Sequence, residues 1–130
     1  MNIDKIKTIK RLVSDCTSGS KRKKKVLKGI NQCDVTFDSM LSLMEYQQWA
    51  CDEGGQPFHL SFRMGKRILE PDRKALGINS TLLPSIDRID NNKGYTMDNI
   101  RIVTNGYNQI RGQYEDSDVR EWINLIKKNN

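Results

Sequence analysis

Three residues with hard oxygen donors mark the stretch most able to do chemistry. Asp87, Asn99 and Asn108 fall at the joints of Pro84 to Arg111, PSIDRIDNNKGYTMDNIRIVTNGYNQIR. A carboxylate at a strand end and a side-chain amide one turn into a nearby helix, completed by waters and a phosphate, suit Mg²⁺ or Mn²⁺ rather than Zn²⁺. Neither residue is telling alone, because Asp and Asn fill turns everywhere. Their joint placement gives the stretch its interest.

The local sequence supplies elements that could hold them. Ser85-Ile86-Asp87-Arg88-Ile89 alternates polar and apolar residues, the period of a half-buried strand. Asp90-Asn91-Asn92-Lys93-Gly94 is turn chemistry, with a glycine free to take positive φ. Asn99-Ile100-Arg101-Ile102-Val103 is a second alternating, β-branched run. A helix is predicted from Thr104 or Asn105 as N-cap to a stop at Gly112.

The chain has 130 residues, the size of one domain with a modest core. Apolar residues make up 36% and aromatics 7%, low for a globular enzyme but outside the disordered range, and no apolar run approaches a membrane span. The first residues lack the apolar region of a secretory signal. Three scattered cysteines, Cys16, Cys33 and Cys51, do not make a disulfide framework. The expectation is a cytoplasmic protein with no membrane partner and an oligomeric state left open. The net charge of +6 is uneven: residues 1–30 carry +8 and residues 31–130 carry −2. A basic excess confined to one end points to a polyanion, whose phosphates release counterions when neutralised. DNA or RNA could supply those phosphates.

Asn2 can cap a first helix that carries Ile3, Ile6, Ile9, Leu12 and Val13 and fades near Asp15. Thr17 to Ser20 reads as a flexible joint. Lys21, Arg22, Lys23, Lys24 and Lys25 follow, mutually repelling cations that phosphates would relieve. As a nuclear-import signal this run stands without support elsewhere. Residues 1–31 are thus a basic helical extension of one domain. Cys33 to Val35 reads as a short extended piece, and Thr36 or Asp38 caps a helix to about Trp49. Cys51 to Gly55 is a turn. Residues 57–63 alternate well enough for a strand with His59, Ser61 and Arg63 on its polar side. Pro71 to Lys74 could open a short helix, and Gly77 to Thr81 reads as loop. Ser117 caps a last helix within 116–128, expected to bury Val119, Trp122, Ile123 and Ile126. Trp49 is likewise expected in the core rather than against a base.

SIDRIDNNKGYTMDNIRIV followed by Asn108 resembles the HNH, or ββα-metal, nuclease module, in particular the form found in phage-type proteins. In that family the first strand carries Asp-His, a middle Asn opens the second strand, and a His or Asn sits on the helix. Asp87-Arg88, Asn99 and Asn108 fall on these positions, the last two nine residues apart. The match covers residues 84–112, with a looser likeness upstream. The resemblance implies an α+β fold with a ββα-metal core, a β-hairpin plus helix, flanked by N- and C-terminal helices. It implies a DNA endonuclease that hydrolyses phosphodiesters, with Asp87 and Asn108 holding Mg²⁺ or Mn²⁺ and Asn99 tying the loop. In the family the metal contacts the scissile phosphate and the leaving oxygen, and the first His is general base.

Two departures stand out. The base position is Arg88, whose guanidinium cannot accept a proton near neutral pH but can clamp a phosphate. The lone histidine, His59, is the candidate replacement, with Tyr95, Tyr46 or a metal-bound hydroxide behind it. Many relatives also hold the module with two Cys-x-x-Cys knuckles around zinc. Here the first, Cys51-Asp52-Glu53-Gly54, keeps one thiol, and the second would fall at Thr104 and Tyr107 with none. No structural zinc is expected. Lys93, Arg101, Arg111 and the Lys21–Lys25 run are the expected phosphate contacts. A second reading is a catalytically silent nucleic-acid-binding protein in which Arg88 anchors phosphate.

Overall fold

The computed structural model describes residues 1–60 and 74–130. Helix α1 spans Ile3–Ser20, opened by the Asn2 side chain, which accepts a hydrogen bond from Lys5 N at 2.8 Å. It buries Ile9, Leu12 and Cys16, spaced by three and four residues, along one face. The helix runs through Thr17 to Ser20 instead of breaking there. Tertiary packing explains the extra turn: Ser20 is buried, and a Cβ at Gly19 would stand 3.0 Å from the Tyr95 ring. Only glycine lets the two approach so closely. The cationic run then forms a short helix, α2, Lys23–Leu27.

Helix α3, Phe37–Tyr46, starts at a capping box in which Thr36 and Ser39 serve each other's backbone N–H. It ends before Trp49 because Gln48 and Trp49 take positive φ. Its Met40 and Met44 are fully buried against α1. Pro57 makes an isolated bridge with Ala50, and no strand forms over 57–60; the rest of the expected 57–63 strand lies outside the described residues, as do Pro71 to Arg73. Residues 74–76 are helical and lead into a 3-10 helix at Gly77–Leu82, where a loop was expected.

The hairpin consists of β1, Pro84–Arg88, and β2, Ile100–Thr104, paired antiparallel so that Ile86 faces Ile102 and Asp87 faces Arg101. The partners of this pair are the units of sheet stability. Ile100, Ile102 and Val103 join Ile9, Leu12, Met40 and Met44 in one core, each such side chain contributing about 1.5–3 kcal/mol when buried. Thr104 caps helix α4, Asn105–Arg111, which lies on the hairpin and ends at Gly112. Helix α5, Asp116–Lys128, is capped by Glu115, not Ser117, in a reciprocal box with Asp118. Only Val119 of its apolar face is fully buried; Trp122 is 50% exposed and Ile126 is also open. The molecule is mixed α+β, with helices around a two-stranded antiparallel hairpin. Among the described residues no helix is long and apolar enough to cross a membrane.

Candidate nucleic-acid interface and the buried ion network beneath it

The loop between the strands is tied from Asn99. Its Oδ1 accepts from Asp90 N at 2.9 Å, while Nδ2 donates to Asp90 O at 3.0 Å and Gly94 O at 2.9 Å. One buried amide thus satisfies three backbone groups that the turn leaves without ladder partners. Gly94 does not take positive φ. It is needed because a Cβ there would sit 2.5 Å from Gln32 O, where the chain before α3 runs beside the loop and Tyr95 N bonds that carbonyl at 2.8 Å.

Asp87 is 4% exposed, and cations occupy both of its oxygens. Across the hairpin, Arg101 Nε donates to Oδ2 at 2.8 Å; from the end of α4, Arg111 Nη1 donates to Oδ1 at 2.7 Å. The two terminal nitrogens of Arg101 continue to Asp116 at 3.0 and 2.8 Å, with Asp52 at 3.6 Å. Tyr107 also donates its hydroxyl to Asp116. Burial opposes the charge of Arg101, but the hydrogen bonds to Asp116 and Asp87 outweigh it and raise its pKa. Hydrogen bonding from Arg101 holds Asp116 down at about 2, against the opposing effect of burial. Burial and the bond to Asp116 push the Tyr107 phenol up. Such a network is costly to break from one side, about 3–5 kcal/mol when a buried partner is removed.

Asn108 straps α4 to β1: its amide nitrogen donates to Ser85 Oγ at 2.9 Å and Ile86 O at 3.3 Å. The residue that reaches Asp87 from the helix is Arg111, one turn on. A hard cation needs open carboxylate oxygens and room for water. Here the carboxylate is buried under two guanidinium groups, and the helix amide turns its nitrogen to the strand. This donor set does not fit Mg²⁺ or Mn²⁺. Arg101, expected at the surface against phosphate, points inward for the same reason.

Cys51 lies beside Thr104, with Thr104 N donating to its sulfur at 3.3 Å. The two expected knuckle positions therefore meet, as a thiol and a hydroxyl. His59 donates its backbone N–H to Leu82 O at 3.0 Å, which puts it beyond the N-terminal end of β1, away from Arg88 at the other end. The structure does not bring His59 and Arg88 together.

Arg88 closes the hairpin loop. Its Nη1 donates to Asn91 O at 3.1 Å and Lys93 O at 3.0 Å, and its guanidinium lies over the Tyr95 ring at 5.3 Å. Lys25 Nζ approaches the same ring at 5.9 Å. Burial, and then the charges of Arg88, Arg22, Lys28 and Lys24, lower the Lys25 pKa. These cations line an open, polar groove of about 680 Å³ between α2 and the hairpin loop, whose walls hold Lys24, Lys25, Lys28, Arg88 and Arg111 together with the two acids Asp90 and Glu115. Lys21, Arg22, Lys23 and Lys93 are exposed near it without lining it. The groove brings the basic N-terminal run to the hairpin–helix unit, which the sequence separates by some sixty residues.

Comparison of the chain with protein-family models, curated proteins and solved structures finds no match.

Proposed function

We propose that the protein binds nucleic acid through the groove between α2 and the hairpin loop, on an HNH-like ββα scaffold that does not itself cut the strand. The observation that carries this reading is the convergence of five cations from α2, β1 and α4 on one polar groove. Isolated surface cations are weak ligands, but clustered ones release several counterions together. Arg88 supports it as well: a permanently charged fork at the loop can anchor a phosphate and cannot take a proton from water. DNA is the partner of first choice, and RNA shares the phosphate chemistry.

A second reading, a Mg²⁺- or Mn²⁺-dependent endonuclease of HNH type, is favoured by one arrangement. A hairpin whose loop is tied by Asn99, with Asp87 on β1 and Asn108 on the following helix, follows the layout the resemblance implies. That reading requires Arg101 and Arg111 to release Asp87. Supercoiled plasmid incubated with Mg²⁺, Mn²⁺ or chelator, with wild type and Asp87→Ala, separates the two. Retarded but uncut plasmid under every condition is the expected result. Metal-dependent nicking by wild type and not by Asp87→Ala would establish the nuclease instead, and no retardation at low salt would remove the binding reading.

A further inference from the structure

Arg111 has an unusual setting for an arginine in a basic groove. It is only 8% exposed, yet among the described residues its guanidinium makes one hydrogen bond, Nη1 to Asp87, and its Nε is buried without a hydrogen-bond partner. Asp116 stands 3.7 Å from that Nε, too far and too committed to Arg101 and Tyr107 to complete the bond. That Nε is sealed from any ligand. Among the described residues the second terminal nitrogen, Nη2, is neither hydrogen-bonded nor sealed. A largely buried guanidinium with such an unused donor is expensive unless something occupies it. Arg111 and Arg88 both line the groove. Arg88 in turn has one nitrogen fixed by two loop carbonyls and its plane fixed by Tyr95, which leaves a rigid fork facing the same space.

From this we infer that Asp87 is a positioning residue, not a metal ligand: it holds Arg111 in place so that Arg111 and Arg88 together clamp one phosphodiester group in the groove. The inference rests on the nucleic-acid reading above and adds to it where a phosphate sits and what aims the donors. Asp87 is itself clamped by Arg101, which Asp116 grips on its far side, so the orientation of Arg111 is set two layers down. An arginine pre-ordered in this way loses little freedom when a phosphate arrives.

The sign of one substitution separates positioning from bulk charge. Asp87→Asn adds a net positive charge next to the groove, so charge alone would tighten binding of an oligonucleotide. Loss of positioning weakens it, and about tenfold weaker binding of a labelled 20-mer is expected. Asp87→Asn can also unfold the chain, and two further arms stand without it. Arg111→Lys keeps the charge but not the fork; it should bind about tenfold more weakly with an unchanged salt slope, while Arg111→Gln should lower the slope by about one phosphate contact. Electron paramagnetic titration of wild type with Mn²⁺ alone should give no saturable site in the micromolar range. A stoichiometric Mn²⁺ site lost in Arg111→Lys or Asp87→Asn would overturn the inference, as would Arg111→Lys binding as tightly as wild type. If wild type fails to bind the 20-mer at low salt, the underlying reading falls. If it binds and the Arg111 variants match it, only the clamp falls.

Discussion

Arg101 is the residue on which the interior of the module turns. Directly opposite Asp87 in the hairpin register, it uses Nε on that carboxylate and both terminal nitrogens on Asp116, so a single guanidinium joins β1, β2 and α5. This geometry makes stability depend on acid pH in a defined way. Hydrogen bonding from Arg101 depresses the Asp116 pKa to about 2 in the folded protein, against an ordinary value of 3.8. A depressed carboxylate contributes stability above its unfolded pKa and loses it as pH falls through the folded one. The contribution should therefore be present at pH 5 and disappear between about pH 4 and pH 2. Urea unfolding of wild type and Asp116→Asn across that range checks it. Wild type should be the more stable at pH 5, and the gap should close toward pH 2. A gap that is constant with pH would mean that Asp116 acts through packing and not through its charge.

At the scale of elements, the hairpin depends on Asn99 more than on its turn residues. Replacing Asn99 by Ala leaves Asp90 N, Asp90 O and Gly94 O without the amide that serves them. Buried groups left unpaired cost about 1–3 kcal/mol each, reduced where water can enter, so a net loss of about 2–4 kcal/mol is expected. Faster hydrogen exchange should appear at the amide of Asp90. A chemical-denaturation midpoint within error of wild type would show that the loop holds itself. Much of this element was legible in the sequence, because alternation and β-branching mark both strands and Thr104 marks the start of α4. Each strand is set off by one residue, since Pro84 and Thr104 belong to the named strands while Ile89 and Asn99 lie just past them, joined by the bond from Ile89 N to Asn99 O at 2.8 Å. Turn chemistry suggests a positive φ at Gly94 and misses its role, because close approach to Gln32 is a tertiary fact. Helix α1 outran its local propensity in the same way, held through Ser20 by contact with Tyr95. In α5 the apolar stripe was plain and its burial was not, because amphipathicity defines a face without supplying its cover. The ion network lay furthest from sight. It needs the hairpin register to pair residues 87 and 101 and the approach of α4 to add Arg111, and neither is a local property.

Over the whole molecule, the charge asymmetry of the sequence becomes a spatial one. The +8 of residues 1–30 is divided by the fold, which turns Lys24, Lys25 and Lys28 toward the hairpin loop and leaves Lys21 and Lys23 outside the groove. Composition alone treats these five lysines as equal, whereas the groove does not. A lysine that neutralises a phosphate in the complex steepens the dependence of log K on log salt by about 0.7 for a single strand and 0.9 for a duplex, and one that stays solvated away from the ligand does not. Both a triple variant of Lys24, Lys25 and Lys28 to Gln and a double variant of Lys21 and Lys23 to Gln lower the net charge. Long-range attraction through the screening atmosphere falls off within about 10 Å at 0.1 M salt, so it contributes little to the difference in slope. Titrating a duplex and a single strand from 50 to 300 mM salt should show the triple variant losing about two to three contacts' worth of slope and the double variant less than one. Equal loss per lysine in the two variants would mean that the basic run acts as an undifferentiated cloud, and that the groove between α2 and the hairpin loop is not the path the strand takes.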